Sequence, residues 1–363
     1  MRDQNGGGGG GHEYSRPARN SVPGPYLSPL IRRQEENQWI EPDEIDWSPW
    51  GEARGQGARA GSERQKRVDQ IMAIAREVEP ATSRGVAYVA LARRLIRSKK
   101  QFEAVAELVR NLRDRGTMPF EWITDQGRPM WIPERFGGAF NYLSQTHQGF
   151  YLNLWEAAAQ QVFICVEKAA LHGVFEPVAM EYDAPIVSTE GFNSLTRLHD
   201  IAQHLRRDKR SVLILNLGDH DPAGVAIMLK NAIKLEEYSG RAISTVRVAA
   251  LPEHIRQFNL LTRRAYDKES PFDPGKHIPF IEGEGRGVLV ENRMRAWDFR
   301  RGVFDLDAIN PNDARALLRA HLEAMLPEHA RRNKEIRERR EQAKLAKLIR
   351  YQTEVERFLR TLP

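Results

Sequence analysis

Two carboxylates one residue apart, Asp219 and Asp221, stand directly behind the apolar run Leu213-Ile-Leu-Asn-Leu217 and Gly218. Pro222 and Gly224 break any strand immediately after them. A buried strand that delivers paired acids to its C-terminal end places them in the crevice where open α/β sheets bind ligands. Carboxylate oxygens are also the donors that Mg²⁺ prefers. Two carboxylates alone hold Mg²⁺ weakly, so a third acid is needed. The apolar run Val162-Phe-Ile-Cys-Val166 ends in Glu167. If these two strands are neighbours, Glu167 faces Asp219 and Asp221 across the crevice. The cluster then concentrates negative charge that a cation would neutralise. The competing reading pairs Glu167 with Lys168 or a surface arginine.

The elements that must position these acids follow from the pattern around them. Val162–Val166, Ala184–Ser188, Val212–Leu217 and Ile243–Ala250 read as strands, separated by segments with helical apolar spacing. The helix after the third strand spans Val225–Leu235, and a further helix runs from about Asn312 to Leu326, with Asn310 or Asn312 as its cap. Strands alternating with helices imply right-handed βαβ units and a parallel sheet, so the fold class is α/β.

Ahead of this region, residues 65–150 read as three helices and a hairpin. Val68, Ile71, Met72, Ile74 and Ala75 form one apolar stripe. Thr82-Ser83 offers an N-cap for a second helix, carrying Val86, Val89, Ala90, Leu95 and Ile96. The third helix runs from about Gln101 to Arg115, and Gly116 suits its C′ position. Met118–Ile123 and Pro129–Ile132 then read as two short strands around the turn signal Asp125-Gln-Gly127. Three helices and a hairpin are the layout of a winged helix. Lys99, Lys100, Arg110, Arg113 and Arg115 lie on or beside the third helix, which such a domain presents to a DNA groove. A solvated basic face is the plainer alternative.

Residues 1–64 read as a disordered, low-complexity head: a glycine run from Gly6 to Gly11, then Pro17, Pro23, Pro25 and Pro29. Trp39, Trp47 and Trp50 in an acidic stretch fit either loose packing on the domain or a docking motif. Residues 327–363 read as one basic amphipathic helix, with nine Lys/Arg against three Glu between 331 and 350. Its apolar residues suit packing on the domain or on a second subunit; its charge suits DNA phosphates.

Length and composition set the bounds. At 363 residues the chain has room for about two domains. It is 29% charged, contains no run long enough to span a bilayer and has no hydrophobic signal core at its start. The single cysteine, Cys165, excludes an internal disulfide. A cytoplasmic, nucleoid-associated location with no membrane partner is expected. The net charge of +6 favours a polyanionic partner without specifying one.

The motifs together resemble a known family. Glu167 after an apolar strand, followed two strands later by Gly218-Asp-His-Asp-Pro-Ala-Gly224, looks like a Toprim domain. The wording Val166-Glu-Lys-Ala-Ala170 and Gly-Asp-x-Asp-Pro-x-Gly resembles the A subunit of topoisomerase VI and the related meiotic double-strand-break enzyme. Thr189–Arg197 resembles that family's Gly-Tyr-Pro-x-x-x-Thr-Arg segment: Gly191, Thr196 and Arg197 match, and Phe192 and Asn193 depart. The resemblance covers residues 66–326. It implies a winged-helix domain over 65–150 that carries a nucleophilic tyrosine, and a Toprim domain over 151–326 that binds Mg²⁺ through Glu167, Asp219 and Asp221. The family's tyrosine lies four residues after an arginine; Arg84 and Tyr88 keep that spacing, with Ala87 in place of an aromatic. On its own residues, Tyr88 reads first as an aromatic filling the apolar face with Val86 and Val89; the resemblance is what points it to chemistry.

The resemblance further implies cleavage of double-stranded DNA through a 5′-phosphotyrosyl link. It implies DNA contacts from Lys99, Lys100, Arg110, Arg113 and Arg197, and a homodimer that assembles the site in trans. With no Gly-x-x-x-x-Gly-Lys-[Ser/Thr] loop in the chain, strand passage would need a separate ATPase subunit of the GHKL type. Two alternatives stay open: a Toprim nuclease of a defence or mobile-element system using metal-activated water, and a winged-helix DNA-binding protein without enzymatic activity.

Overall fold

The computed structural model of the protein describes residues 58–124, 142, 150–189, 195–263, 274–291, 299, 302–359 and 361. Five apolar segments form one fully parallel sheet: β1 (Gln161–Val166), β2 (Ile186–Ser188), β3 (Val212–Leu217), β4 (Ile243–Ala249) and β5 (Leu289–Val290). The spatial order is β2-β1-β3-β4-β5. β1 and β3 are therefore neighbours, with Val166 beside Leu217, so the two acid-bearing strand ends meet. The short edge strand β5 was not foreseen. Its two residues are too few to show a period.

Both faces of the sheet are covered, which is why its strands are mostly apolar rather than alternating, with Asn216, Ser244, Thr245 and Arg247 as buried polar exceptions. Ile164, Val166, Leu215 and Leu217 pack on one face with α4 (His172–Glu181) and α9 (Pro311–Met325). Phe163, Cys165, Val212 and Ile214 pack on the other with α5 (Leu195–Arg206) and α6 (Pro222–Ser239). Every residue of β3 and β4 is buried. Two shorter helices, α7 (Pro252–Gln257) and α8 (Pro274–Glu282), complete this region.

Ahead of the sheet, α1 (Ala58–Val78), α2 (Ser83–Ala92) and α3 (Lys99–Asp114) enclose a separate apolar cluster that includes Ile71, Ile74, Val86, Val105, Leu108 and Leu112. α1 starts before the expected boundary at 65. α2 ends at Ala92, so Leu95 and Ile96 lie beyond it, although Ile96 is still buried. The expected strand Met118–Ile123 does not form. Gly116 takes the left-handed conformation, Pro119 has no N–H to give to a ladder, and Phe120–Trp122 coil into a 3-10 turn. The chain then makes a single parallel bridge from Ile123 to Ala81. The second expected strand, Pro129–Ile132, lies outside the described residues, as do residues 1–57 of the head.

The folded chain divides into two units. Described residues from 58 to 124 and from 153 to 334 belong to one; residues 142, 150–152 and 335–361 belong to the other. Within the first, Arg315 on α9 is buried and donates to the carbonyls of Val78, Glu79 and Pro80 in the α1–α2 turn. α10 (Ala330–Leu359) is the long C-terminal helix that the sequence implies. Leu348, Tyr351 and Phe358 on it are exposed. Among the described residues, no helix is long and apolar enough to cross a membrane.

Candidate functional site

The pairing of β1 with β3 fixes the first half of the site. The amide of Glu167 donates to Leu217 O at 2.8 Å, which aligns Glu167 with Gly218. Its carboxylate turns over the end of β3, where Oε2 accepts the Asp219 amide at 3.0 Å. Two glycines make room for it. A Cβ on Gly218 would stand 2.5 Å from Glu167 Oε2; one on Gly224 would stand 2.6 Å from the Asp219 carbonyl and 2.9 Å from Glu167 Oε2. Asp221 caps α6, its Oδ1 accepting the Gly224 amide at 2.7 Å, with Pro222 in the first turn where a missing N–H costs nothing.

The second half comes from a segment whose role the sequence did not disclose. His220 exchanges backbone hydrogen bonds with Phe304, and Arg263 does so with Val303. These two bridges lay Asp305, Leu306 and Asp307 beside Asp219. The Leu306 amide donates to Asp219 Oδ1 at 2.8 Å. Asp305 Oδ2 accepts from Tyr88 Oη at 3.0 Å and from Arg84 at 3.0 Å, and its Oδ1 accepts from Arg263 at 2.7 Å. Asp307 Oδ1 accepts from Thr82 Oγ1 at 2.8 Å, while Thr82 itself caps α2 by accepting the Gly85 amide. Tyr88 and Arg84 are thus joined to the acidic centre within a single chain.

Lys168 and Arg247 supply the remaining charge. The Lys168 ammonium lies 2.8 Å from Asp219 Oδ2 and 3.3 Å from Asp307 Oδ2. The fully buried Arg247 guanidinium donates to Asn216 Oδ1 and to the Asp219 carbonyl. Five carboxylates (Glu167, Asp219, Asp221, Asp305, Asp307) therefore face four cations (Arg84, Lys168, Arg247, Arg263). Burial, then the Asp219 charge, pushes the Glu167 carboxyl up to about 7, with Arg247 working against the rise. Burial also raises Asp219 and Asp221. For Asp305 burial is outweighed by Lys168 and Arg263, and its carboxyl lies below the usual range. Burial and the Asp305 charge push the Tyr88 phenol up to about 12.

Glu167, Asp219 and Asp221 are brought to one place. Among the described residues, however, no three acid, imidazole or thiol groups converge closely enough to hold a metal ion. Both oxygens of Asp219 are engaged, by the Leu306 amide and by Lys168. The donor chemistry nonetheless suits a hard cation such as Mg²⁺, because carboxylate oxygens dominate the centre.

No family model matches this chain, and no curated protein matches it.

The basic residues singled out in the sequence do not converge on this centre. Lys99 is 3.8 Å from Glu103 and Arg110 is 2.5 Å from Glu107, so neighbours on α3 offset their charge. The Arg113 guanidinium lies over the Phe120 ring at 4.9 Å. Lys100 is exposed. Arg197, on the first turn of α5, adds to the burial that lowers the pKa of His172. Gly191, Phe192 and Asn193 lie outside the described residues. Asp305, Asp307, Lys168, Arg247 and Arg263 were missed as site residues. One signal was available: Asp305-Leu-Asp307 follows the apolar pair Val303-Phe304 and repeats the acid spacing of 219 and 221.

Proposed function

We propose that the protein is a Mg²⁺-dependent DNA-cleaving subunit like the A subunit of topoisomerase VI, with residues 65–150 as a winged-helix domain and 151–326 as a Toprim domain. The observation that carries this reading is the path Tyr88–Asp305–Leu306–Asp219, which ties a phenol to the paired acids at the end of β3. Nucleophile and base stand within hydrogen-bond reach of each other. Tyr88 Oη attacks the phosphorus of a backbone phosphodiester. Its proton passes to Asp305, the 3′ oxygen leaves and takes a proton from water, and a 5′-phosphotyrosyl bond remains. Arg84, which shares Asp305 Oδ2 with Tyr88, stabilises the phenolate and the charge that develops on the phosphoryl oxygens. Glu167, Asp219 and Asp221 would hold Mg²⁺, which would supply charge neutralisation for those oxygens. Lys99, Lys100, Arg110, Arg113 and Arg197 contact duplex phosphates, a homodimer presents two such centres to the two strands, and a separate GHKL-type ATPase subunit couples cleavage to strand passage.

The phenol pushed up to about 12 favours a second reading, in which Tyr88 stays protonated and the same acids activate water in a hydrolytic nuclease. One experiment separates the two. The protein is incubated with supercoiled plasmid and Mg²⁺, then denatured with and without protease. Covalent protein–DNA adducts that vanish in Tyr88→Phe support the tyrosine reaction. Cleavage that survives Tyr88→Phe without adducts overturns it in favour of hydrolysis. Binding without cleavage, unaffected by Asp219→Asn, overturns both.

A further inference from the structure

Lys168 is adjacent in sequence to Glu167, yet its side chain turns to the other acids of the centre. It bridges Asp219 Oδ2 and Asp307 Oδ2. The two carboxylates are almost fully buried, with side chains 9% and 3% exposed, whereas the lysine side chain is 34% exposed. The ammonium therefore covers the acids from the solvent side. Arg247 balances Glu167, Asp219 and Asp221 from the buried side, locked against Asn216 and the Asp219 carbonyl. The two cations differ in kind. A buried guanidinium held at two points is a fixed part of the fold. An ammonium on a four-carbon stem is a compact charge that can swing away and remain protonated in water. The oxygen it covers belongs to the aspartate on which the proposed Mg²⁺ site depends.

We propose that Lys168 is the resident counter-cation of the acidic centre and that a divalent metal ion binds by displacing its ammonium from Asp219. This rests on the metal-binding reading of the same centre. The exchange breaks one ion pair and forms one metal–carboxylate contact, and the lysine keeps its proton. The centre stays balanced without metal, and metal affinity is held down by the competition.

The test uses the full chain and Mn²⁺ as probe, followed by electron paramagnetic resonance of free Mn²⁺ and by calorimetry. Lys168→Met keeps the length and apolar stem of the side chain and removes the charge. It is expected to bind Mn²⁺ about tenfold more tightly than the wild type, equivalent to ~1.4 kcal/mol. Its melting temperature without metal should fall, and Mn²⁺ should restore more of it than in the wild type. Lys168→Arg guards against a Met variant that does not fold. Its planar guanidinium grips carboxylates more firmly, and it is expected to bind Mn²⁺ more weakly than the wild type. Equal or weaker binding by Lys168→Met, with Mn²⁺ binding still abolished by Asp219→Asn, overturns the displacement and leaves the metal site standing. Arginine and wild-type proteins of equal affinity also overturn it. No Mn²⁺ binding by any of these proteins overturns the metal reading itself and the displacement with it.

Discussion

Tyr88 and Asp305 lie 217 positions apart in sequence, and the phenol of one donates to Oδ2 of the other at 3.0 Å. The bond adds to what burial does to the protonation of the tyrosine. Burial and the Asp305 charge together lift the phenol to about 12. Asp305→Asn removes the charge and leaves the burial, so the Tyr88 phenol should titrate below its wild-type position. Spectrophotometric titration, with Tyr88→Phe identifying the signal, reads this directly. Arg84 and Arg263 are more than half exposed and keep their hydration, so the stability cost should stay near ~1–2 kcal/mol.

Gly224→Ala tests how tightly the Glu167 carboxylate is enclosed. Alanine ordinarily favours a helix over glycine by ~1 kcal/mol. Here the added Cβ meets the Asp219 carbonyl at 2.6 Å, and backbone cannot yield as a flexible side chain would. A net loss of ~2–3 kcal/mol in denaturant unfolding is expected. Gly287→Ala, where nothing lies within 4 Å, should change stability by no more than ~0.5 kcal/mol.

His254 gives the chain an acid-sensitive point outside the carboxylate cluster. It is 3% exposed, accepts the Leu251 amide at Nδ1, and is lowered to about 4 by burial, with His321 adding to the shift. A lowered histidine pKa means the unfolded chain binds the proton first. The contribution is therefore fully present above about pH 6.5 and is lost as pH falls toward about 4. Stability should drop by on the order of 2–3 kcal/mol across that window. His254→Gln should flatten the dependence in urea unfolding measured at several pH values; an unchanged slope would assign it to other groups.

Thr82 serves two partners with one hydroxyl, capping α2 at Gly85 and donating to Asp307. Thr82→Val removes both and should cost ~1–2 kcal/mol. Thr82→Ser keeps the oxygen and should stay within ~0.5 kcal/mol of the wild type in the same unfolding assay.

The sheet was legible because its burial is local in sequence. Val212–Leu217 is buried at every position, and an apolar run interrupted only by Asn216 and ending at Gly218 says so without tertiary knowledge. Glu167, Asp219 and Asp221 were legible for the same reason: acids at the end of an apolar strand have few places to go. Asp305 and Asp307 were not. Their role arises from the bridges His220–Phe304 and Arg263–Val303, long-range pairings that leave no period in the chain. Lys168 was weighed as a partner for Glu167 and turned out to serve Asp219 and Asp307, because side-chain direction at a strand end depends on the segment packed above it. The hairpin expectation failed at Met118–Ile123 through Pro119 and a long-range bridge to Ala81, neither of which apolar spacing reports.

Arg315 holds the α1–α2 turn by three carbonyls, and Asp305 holds α2 by two side chains. Sequence order would suggest cutting the chain near residue 150 to obtain the sheet by itself. Such a fragment would retain all five strands and inherit a buried guanidinium stripped of those acceptors, together with a carboxylate that has lost its phenol. Residues 78–88 are in this sense a cover that the later ones are built to wear, and removing them would be felt most at α9 and at the end of β3.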